Sequence, residues 1–169
     1  QKAISIIGDN ATITNESGGL IRSGSASSTT DTHLNAILVN SSAEGFNSTI
    51  NNYGTITAAR NTLKIGAADV TVNNYSGGAI YNTDTDGIKA AVMVSKNNAA
   101  ITNKGIISGN GSSHSIEVAD NITGTKIYVD GAPTFTGEVE LNNAAANTTV
   151  YLECNMSQDT PIEIHNKPT

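Results

Sequence analysis

Residues 99–110 read AAITNKGIISGN, and the chain has nearly the same phrase three more times. STINNYGTITA occupies 48–58, VTVNNYSGGAIYN occupies 70–82 and ATITNESGGLIRSG occupies 11–24. Each carries a β-branched residue, an Asn two places on, one or two Gly, and then an Ile. An internal repeat has to be settled before any single element is assigned, because it sets the architecture. The Asn phrase is one half of the unit. Before it comes a quartet with two apolar positions two apart: Ala3–Ile6, Ala36–Val39, Thr62–Ile65, Ala91–Val94, Ser115–Val118 and Glu138–Leu141. The quartets start 33, 26, 29, 24 and 23 residues apart, a spacing too irregular for a strict hexapeptide or nonapeptide solenoid but suited to a coil with corners of varying length.

Three short strands per unit account for the pattern. The first is the quartet; the second carries Ile13, Ile50, Val72, Ile101, Ile127 and Val150; the third carries Ile21, Ile56, Ile80, Ile107, Phe135 and Ile162 or Ile164. Alternation with period two points one set inward and the other outward. Helical spacing is absent, and a chain with 21 Asn, 21 Thr, 16 Ser and 16 Gly is poor in helix formers. No one unit can bury its apolar side alone, but stacking at about 4.8 Å makes the Ile/Val columns a continuous core. The expected fold is therefore all-β: a right-handed parallel β-helix of about six rungs with three short strands each, one domain spanning 1–169. Asn15, Asn52, Asn74 and Asn103, with Asp130 in the fifth unit, are expected at the tight corner between the second and third strands. There an Asn tolerates left-handed backbone and bonds to the Asn above and below, while the following Gly supplies positive φ.

Composition narrows function. The net charge is −6 with no grouped Lys or Arg, so the counterion release that drives nucleic-acid binding has no source. No run of 18 apolar residues is present, which argues against a membrane span in this segment. Cys154 is the only cysteine, so no internal disulfide forms; it is expected to continue the inward alternation of Val150 and Leu152.

The I-x-N-x-G-x-I units, in a Cys-poor chain rich in Asn, Thr and Gly, resemble the β-helical passenger domains of type V autotransporters, surface or secreted proteins of Gram-negative bacteria. The similarity runs from Ala3 to about Ile164. It implies adhesion, self-association or engagement of a host receptor, at the bacterial surface or in the medium. That family's membrane barrel has no counterpart here, so an excised or processed passenger piece is expected. The GGA[ILV] and FxxN pairs of the chlamydial branch do not recur: Gly77–Ile80 matches once, and Phe46 lacks an Asn three places on.

Candidate chemistry is sparse. Asn82, Asp84, Asp86 and Gly87 match the first half of a calcium loop, yet Met93 stands where its glutamate belongs, and a solvated corner is the ordinary reading. Glu117 and Glu140 are expected side by side on adjacent rungs, with Glu138 close by. That spacing would suit a retaining glycosidase, but on an open strand face it reads as an acidic patch for a basic partner. Tyr53 and Tyr75 should stack just after the corner Asn, with Lys104 next in the column, offering aromatic and cationic contact to a protein or sugar. His33, His114 and His165 fall in different rungs and share no site. The long corner 22–33 is a natural place for a binding loop. The expected function is a non-enzymatic extracellular binding module with no cofactor. Its expected partner is a host cell-surface receptor, a glycan or another copy of itself. A secreted signalling ligand is the alternative, and a carbohydrate-active enzyme or phage-type spike comes after that.

Overall fold

The computed structural model describes residues 2–24, 34–40, 46–83, 89–110, 114–131, 134–141, 147–153 and 164–166. The chain winds as a parallel β-solenoid. Its first turn is β1 (Ile4–Ile6), β2 (Thr12–Asn15) and β3 (Leu20–Ser23). The second is β4 (Ile37–Asn40), β5 (Thr49–Asn52) and β6 (Thr55–Ala58), and the third β7 (Leu63–Gly66), β8 (Thr71–Asn74) and β9 (Ala79–Asn82). The fourth is β10 (Val92–Val94), β11 (Ala100–Asn103) and β12 (Ile106–Ser108). The fifth is β13 (Ile116–Val118), β14 (Lys126–Asp130) and β15 (Thr134–Thr136). β16 (Val139–Leu141), β17 (Thr149–Glu153) and β18 (Ile164–Asn166) follow.

Among the described residues every third strand up to β17 joins the same sheet and β18 returns to the first, giving parallel sheets of seven, six and five strands. Complete turns are fewer than the six expected, because the third sheet ends at β15 among the described residues. Ile164, expected in a third strand, instead pairs with Val139 in the first sheet. The 161–163 segment that contains Ile162 lies outside the described residues, as do His33, Cys154 and positions 25–33 of the long corner.

The inward columns stand in register. Ile4, Ile37, Leu63, Val92, Ile116 and Val139 align through the first sheet. Ile13, Ile50, Val72, Ile101, Ile127 and Val150 align through the second. Ile21, Ile56, Ile80, Ile107 and Phe135 align through the third. From Ile37 to Ile116 these side chains lie wholly out of water in one cluster. Burial of each Val or Ile contributes about 1.5–3 kcal/mol, and since no turn owns its core, the energy resides in stacking between turns.

The two best-defined corners work differently. Between the first and second sheets, each of six turns has one Asn or Asp with positive φ: Asn10, Asn47, Asp69, Asn98, Asn121 and Asn147, at 45–61°. In five of them it stands two residues before the strand; β14 begins further on. This is where the left-handed backbone is needed, and Asn or Asp adopts it at lower cost than other side chains. At the corner between the second and third sheets, none of Asn15, Asn52, Asn74 and Asn103 is left-handed, contrary to the sequence expectation. There the Asn acts through its side chain.

Candidate functional site

Strand alternation turns the corner Asn inward, where its amide is surrounded by backbone. Asn15 Nδ2 donates to Asn52 Oδ1, Asn52 Nδ2 to Asn74 Oδ1, and Asn74 Nδ2 to Asn103 Oδ1, each at 2.8 Å. The same nitrogens reach carbonyls of the neighbouring corner, such as Asn15 to Thr55 O at 3.1 Å and Asn74 to Ile106 O at 3.0 Å. The ladder stops at Asn103. Its register partner in β14 is Val129, not Asp130, and the buried Asn103 Nδ2 has no acceptor among the described residues. Asp130 stands one place further along, outside the core.

That shift makes a different surface column. The residue after the corner Asn faces out, and Asp130 and Glu153, which follow Val129 and Leu152, continue the same column, giving Glu16, Tyr53, Tyr75, Lys104, Asp130 and Glu153 along one ridge. Tyr53 and Tyr75 stack with ring centroids 4.2 Å apart and planes 2° from parallel, as the repeat implies. The Tyr75 hydroxyl, hydrogen-bonded to Tyr53, together with some burial raises the Tyr53 pKa above the ordinary phenol value. Lys104 Nζ lies 2.6 Å from Asp130 Oδ2. Their hydrogen bond and mutual attraction raise the Lys104 pKa and lower that of Asp130. Both groups face water, so the pair fixes charge position on the ridge and weakens in salt.

A second stack went unnoticed in the sequence. Tyr128 and Tyr151 are register partners in β14 and β17, with ring centroids 4.6 Å apart. Each sits one place after an inward residue of the second strand, which was the available signal. Beside them the second sheet presents Thr12, Thr49 and Thr71 in one outward column, and Asn73 Nδ2 bonds to Asn51 Oδ1 at 3.0 Å in the next.

The third sheet carries two concavities that meet at Tyr81. One, of about 450 Å³, lies between the projecting Ser17-Gly18 and Ser76-Gly77 corners, with Tyr53 and Leu20 on its walls. The other, of about 430 Å³, is lined by Ala79, Tyr81, Ile106, Ser108 and Asn110. The relief arises from corner length. Asn15 and Asn74 are each followed by x-Ser-Gly-Gly, while Asn52 and Asn103 are followed by x-Gly, so long and short corners alternate.

Glu117 and Glu140 are register partners on the first sheet, as expected. Their face is less open than the alternation suggested. His114 packs against it, with Nε2 3.2 Å from Glu140 Oε2 and Nδ1 3.6 Å from Glu138 Oε2. Burial and then the neighbouring Glu140 carboxylate raise the Glu117 pKa, while His114 and Lys89 oppose them. A carboxyl whose folded pKa exceeds its unfolded value stabilises the fold at low pH and loses that contribution as pH rises through the folded pKa. Glu117→Gln is therefore expected to raise the melting temperature at about pH 7, and the gain should vanish near pH 3.5, below the ordinary glutamate pKa of about 4.3. Thermal melts of both proteins at the two pH values test this; an equal gain at both would mean charge is not the cause.

Asn82 is buried, its Nδ2 donating to Lys89 O at 2.6 Å and its Oδ1 accepting from Asn110 N at 2.9 Å. Asp84 and Asp86 lie outside the described residues. Among the described residues no group of three or more His, Cys, Asp or Glu is placed to hold a metal ion, and no helix is long and apolar enough to cross a membrane. In comparisons with family models, curated proteins and solved structures, the chain matches none.

Proposed function

We propose that this chain is an extracellular, non-enzymatic binding module of the autotransporter-passenger type, which holds aromatic and polar side chains at fixed spacing for contact with a host or neighbouring cell. One observation carries the reading: Tyr53 and Tyr75 form a parallel stack on a ridge tied to the turn before it, Tyr53 N donating to Asn15 O and Tyr75 N to Asn52 O. Aromatic groups placed this way contribute contact area with little ordering cost on binding, because the scaffold has already fixed them. A repeating rod also offers several weak contacts along its length, and linked contacts reinforce one another. The Lys104–Asp130 pair gives the ridge a polar border, as specific interfaces have.

The test is adhesion of the fluorescently labelled chain to cultured epithelial cells. Tyr53→Ala/Tyr75→Ala is expected to reduce bound protein by roughly tenfold, the effect of losing about 1–2 kcal/mol of contact. Both rings face outward, so the melting temperature should barely move. Undiminished adhesion of a folded double variant would remove the stack from the binding surface. Receptor phosphorylation in the same cells would point instead to a signalling ligand.

A further inference from the structure

The third sheet has a feature that the ridge does not explain. Its two concavities open on the same face and share Tyr81, so together they follow four consecutive turns from Leu20 to Ile106. We infer that this face is a binding site for a short neutral oligosaccharide lying along the solenoid axis, with Tyr81 as the central platform on which a sugar ring stacks. The inference rests on the binding-module reading and names its ligand.

Four observations select a neutral sugar. First, among the described residues the lining holds Tyr, Ser, Thr, Asn, Gly and a few aliphatic groups, and no Asp, Glu, Lys, Arg or His, in a chain whose net charge is −6. Arg22 is the charged side chain in the outward column of Tyr81, two turns away and separated from it by Thr57. A site built without charge complements an uncharged ligand, since an ionic one would meet no counter-charge. Second, Tyr81 and Tyr53 are each more than a third exposed, so both line the concavities while still reaching solvent. An aromatic face covers the C–H face of a pyranose while the hydroxyls at its edge find Ser, Thr and Asn.

Third, the Ser17-Gly18 and Ser76-Gly77 corners flank the first concavity, and nothing lies within 4 Å of where a Cβ would stand on Gly18 or Gly77. Backbone groups there are within reach of a ligand that a larger residue would hold off. Fourth, the geometry disfavours a peptide. β6, β9 and β12 are each paired on both sides, so an extended peptide finds no strand edge here to extend. Among the described residues of this face Leu20 and Ile106 are the exposed large aliphatics, three turns apart, too few and too separate for the apolar face of a helix. The strand spacing of about 4.8 Å is close to the length of one pyranose in an extended chain, so successive sugars would meet successive turns.

Binding of the intact chain to an immobilised set of short neutral oligosaccharides, alongside their sialylated and sulfated counterparts and a displayed peptide library, decides the matter. The expected result is binding to neutral members. Tyr81→Ala should weaken it by roughly tenfold or more, Tyr81→Phe should retain it within about twofold, and Lys64→Ala, on the first sheet, should leave it unchanged. Thr55→Trp, which fills the first concavity without altering Tyr81, gives the same loss by a route independent of the platform. Preference for acidic glycans, selection of peptides instead, or neutral binding indifferent to both Tyr81→Ala and Thr55→Trp overturns the proposal. Cell adhesion that persists when no oligosaccharide binds would overturn the glycan site and leave the binding module standing. Loss of both would overturn both.

Discussion

Gly105→Ala is expected to destabilise the chain by about 3 kcal/mol or more, lowering the melting temperature by roughly 6–12 °C. A Cβ built on Gly105 collides with the Gly78 carbonyl oxygen of the turn beside it, and it lies 2.6 Å from the Tyr75 carbonyl and 3.0 Å from Asn74 Nδ2. All three belong to the hydrogen-bonded corner. The backbone oxygens cannot swing away as a side-chain tip would, because Ile106 N already donates to Gly78 O and Gly78 N to Tyr75 O. Relief therefore requires two turns to separate, which loosens stacking on both sides of the corner. Gly54 repeats the situation two corners earlier, its Cβ meeting the Gly19 carbonyl and standing 2.5 Å from that of Glu16. Two controls divide the cause. Gly77→Ala has open space but a φ of 84°, and is expected to cost about 1–2 kcal/mol from backbone conformation alone. Gly8→Ala has open space and no positive φ, and should cost little. Equal losses at Gly105 and Gly77 in thermal melts would show that conformation, not contact between turns, explains the repeated glycine.

Those glycines also show where sequence reading reached its limit. The phrase N-x-G was readable as a corner, but not the reason for its Gly. At Gly18 and Gly77 the backbone has positive φ; at Gly54 and Gly105 it does not, and the residue is small because the preceding turn's carbonyl is there. Proximity between turns is invisible until register is known. The inward columns were readable because period-two alternation and stacking like on like leave one arrangement that buries every Ile and Val together. Asp130 was misplaced by one position. β14, like β17, runs five residues where β11 on its other side runs four, and Val129 rather than an Asn takes the inward place. Ile164 was assigned to the wrong sheet for want of an Asn phrase to mark its corner. Of the surface, the Tyr53–Tyr75 stack and the Glu117–Glu140 pairing followed from the repeat. The Tyr128–Tyr151 stack obeys the same rule, but its turn lacks the corner motif that drew attention to the first. Tyr81 and His114 belong to neither pattern. What makes them notable is relief and packing across the surface, which alternation along one strand does not encode.

Asn74→Asp should be among the most damaging single-atom changes in this chain. Asn74 is 1% exposed and holds the middle of the amide ladder, accepting from Asn52 Nδ2 and donating to Asn103 Oδ1 and to the Ile106 and Gly78 carbonyls. Replacing its nitrogen by oxygen turns three attractive contacts into oxygen facing oxygen and places a charge where water does not reach. One donor, from Asn52, remains. Breaking the balance of a buried polar group in this way costs about 3–5 kcal/mol, or roughly 10 °C in melting temperature. The pH dependence distinguishes charge from shape. Desolvation and the surrounding carbonyls raise the new carboxyl's pKa above its unfolded value of about 3.9. Folding then favours the protonated form, so the stability deficit is greatest near pH 7 and shrinks as pH falls through the raised pKa, where an O–H can donate one bond in place of the lost amide. Asn103→Asp provides the comparison. Its Nδ2 has no acceptor among the described residues, and its Oδ1 accepts from Asn74 Nδ2 and from Gly105 N at 3.2 Å, so a carboxylate there loses none of these bonds and keeps two donors. The cost at Asn103 should be clearly smaller than at Asn74 and less dependent on pH. Melts of both variants at about pH 4 and pH 7 provide the test. Matching losses at the two sites would mean that the ladder's direction, each amide giving its proton to the next turn, contributes nothing to holding the turns together.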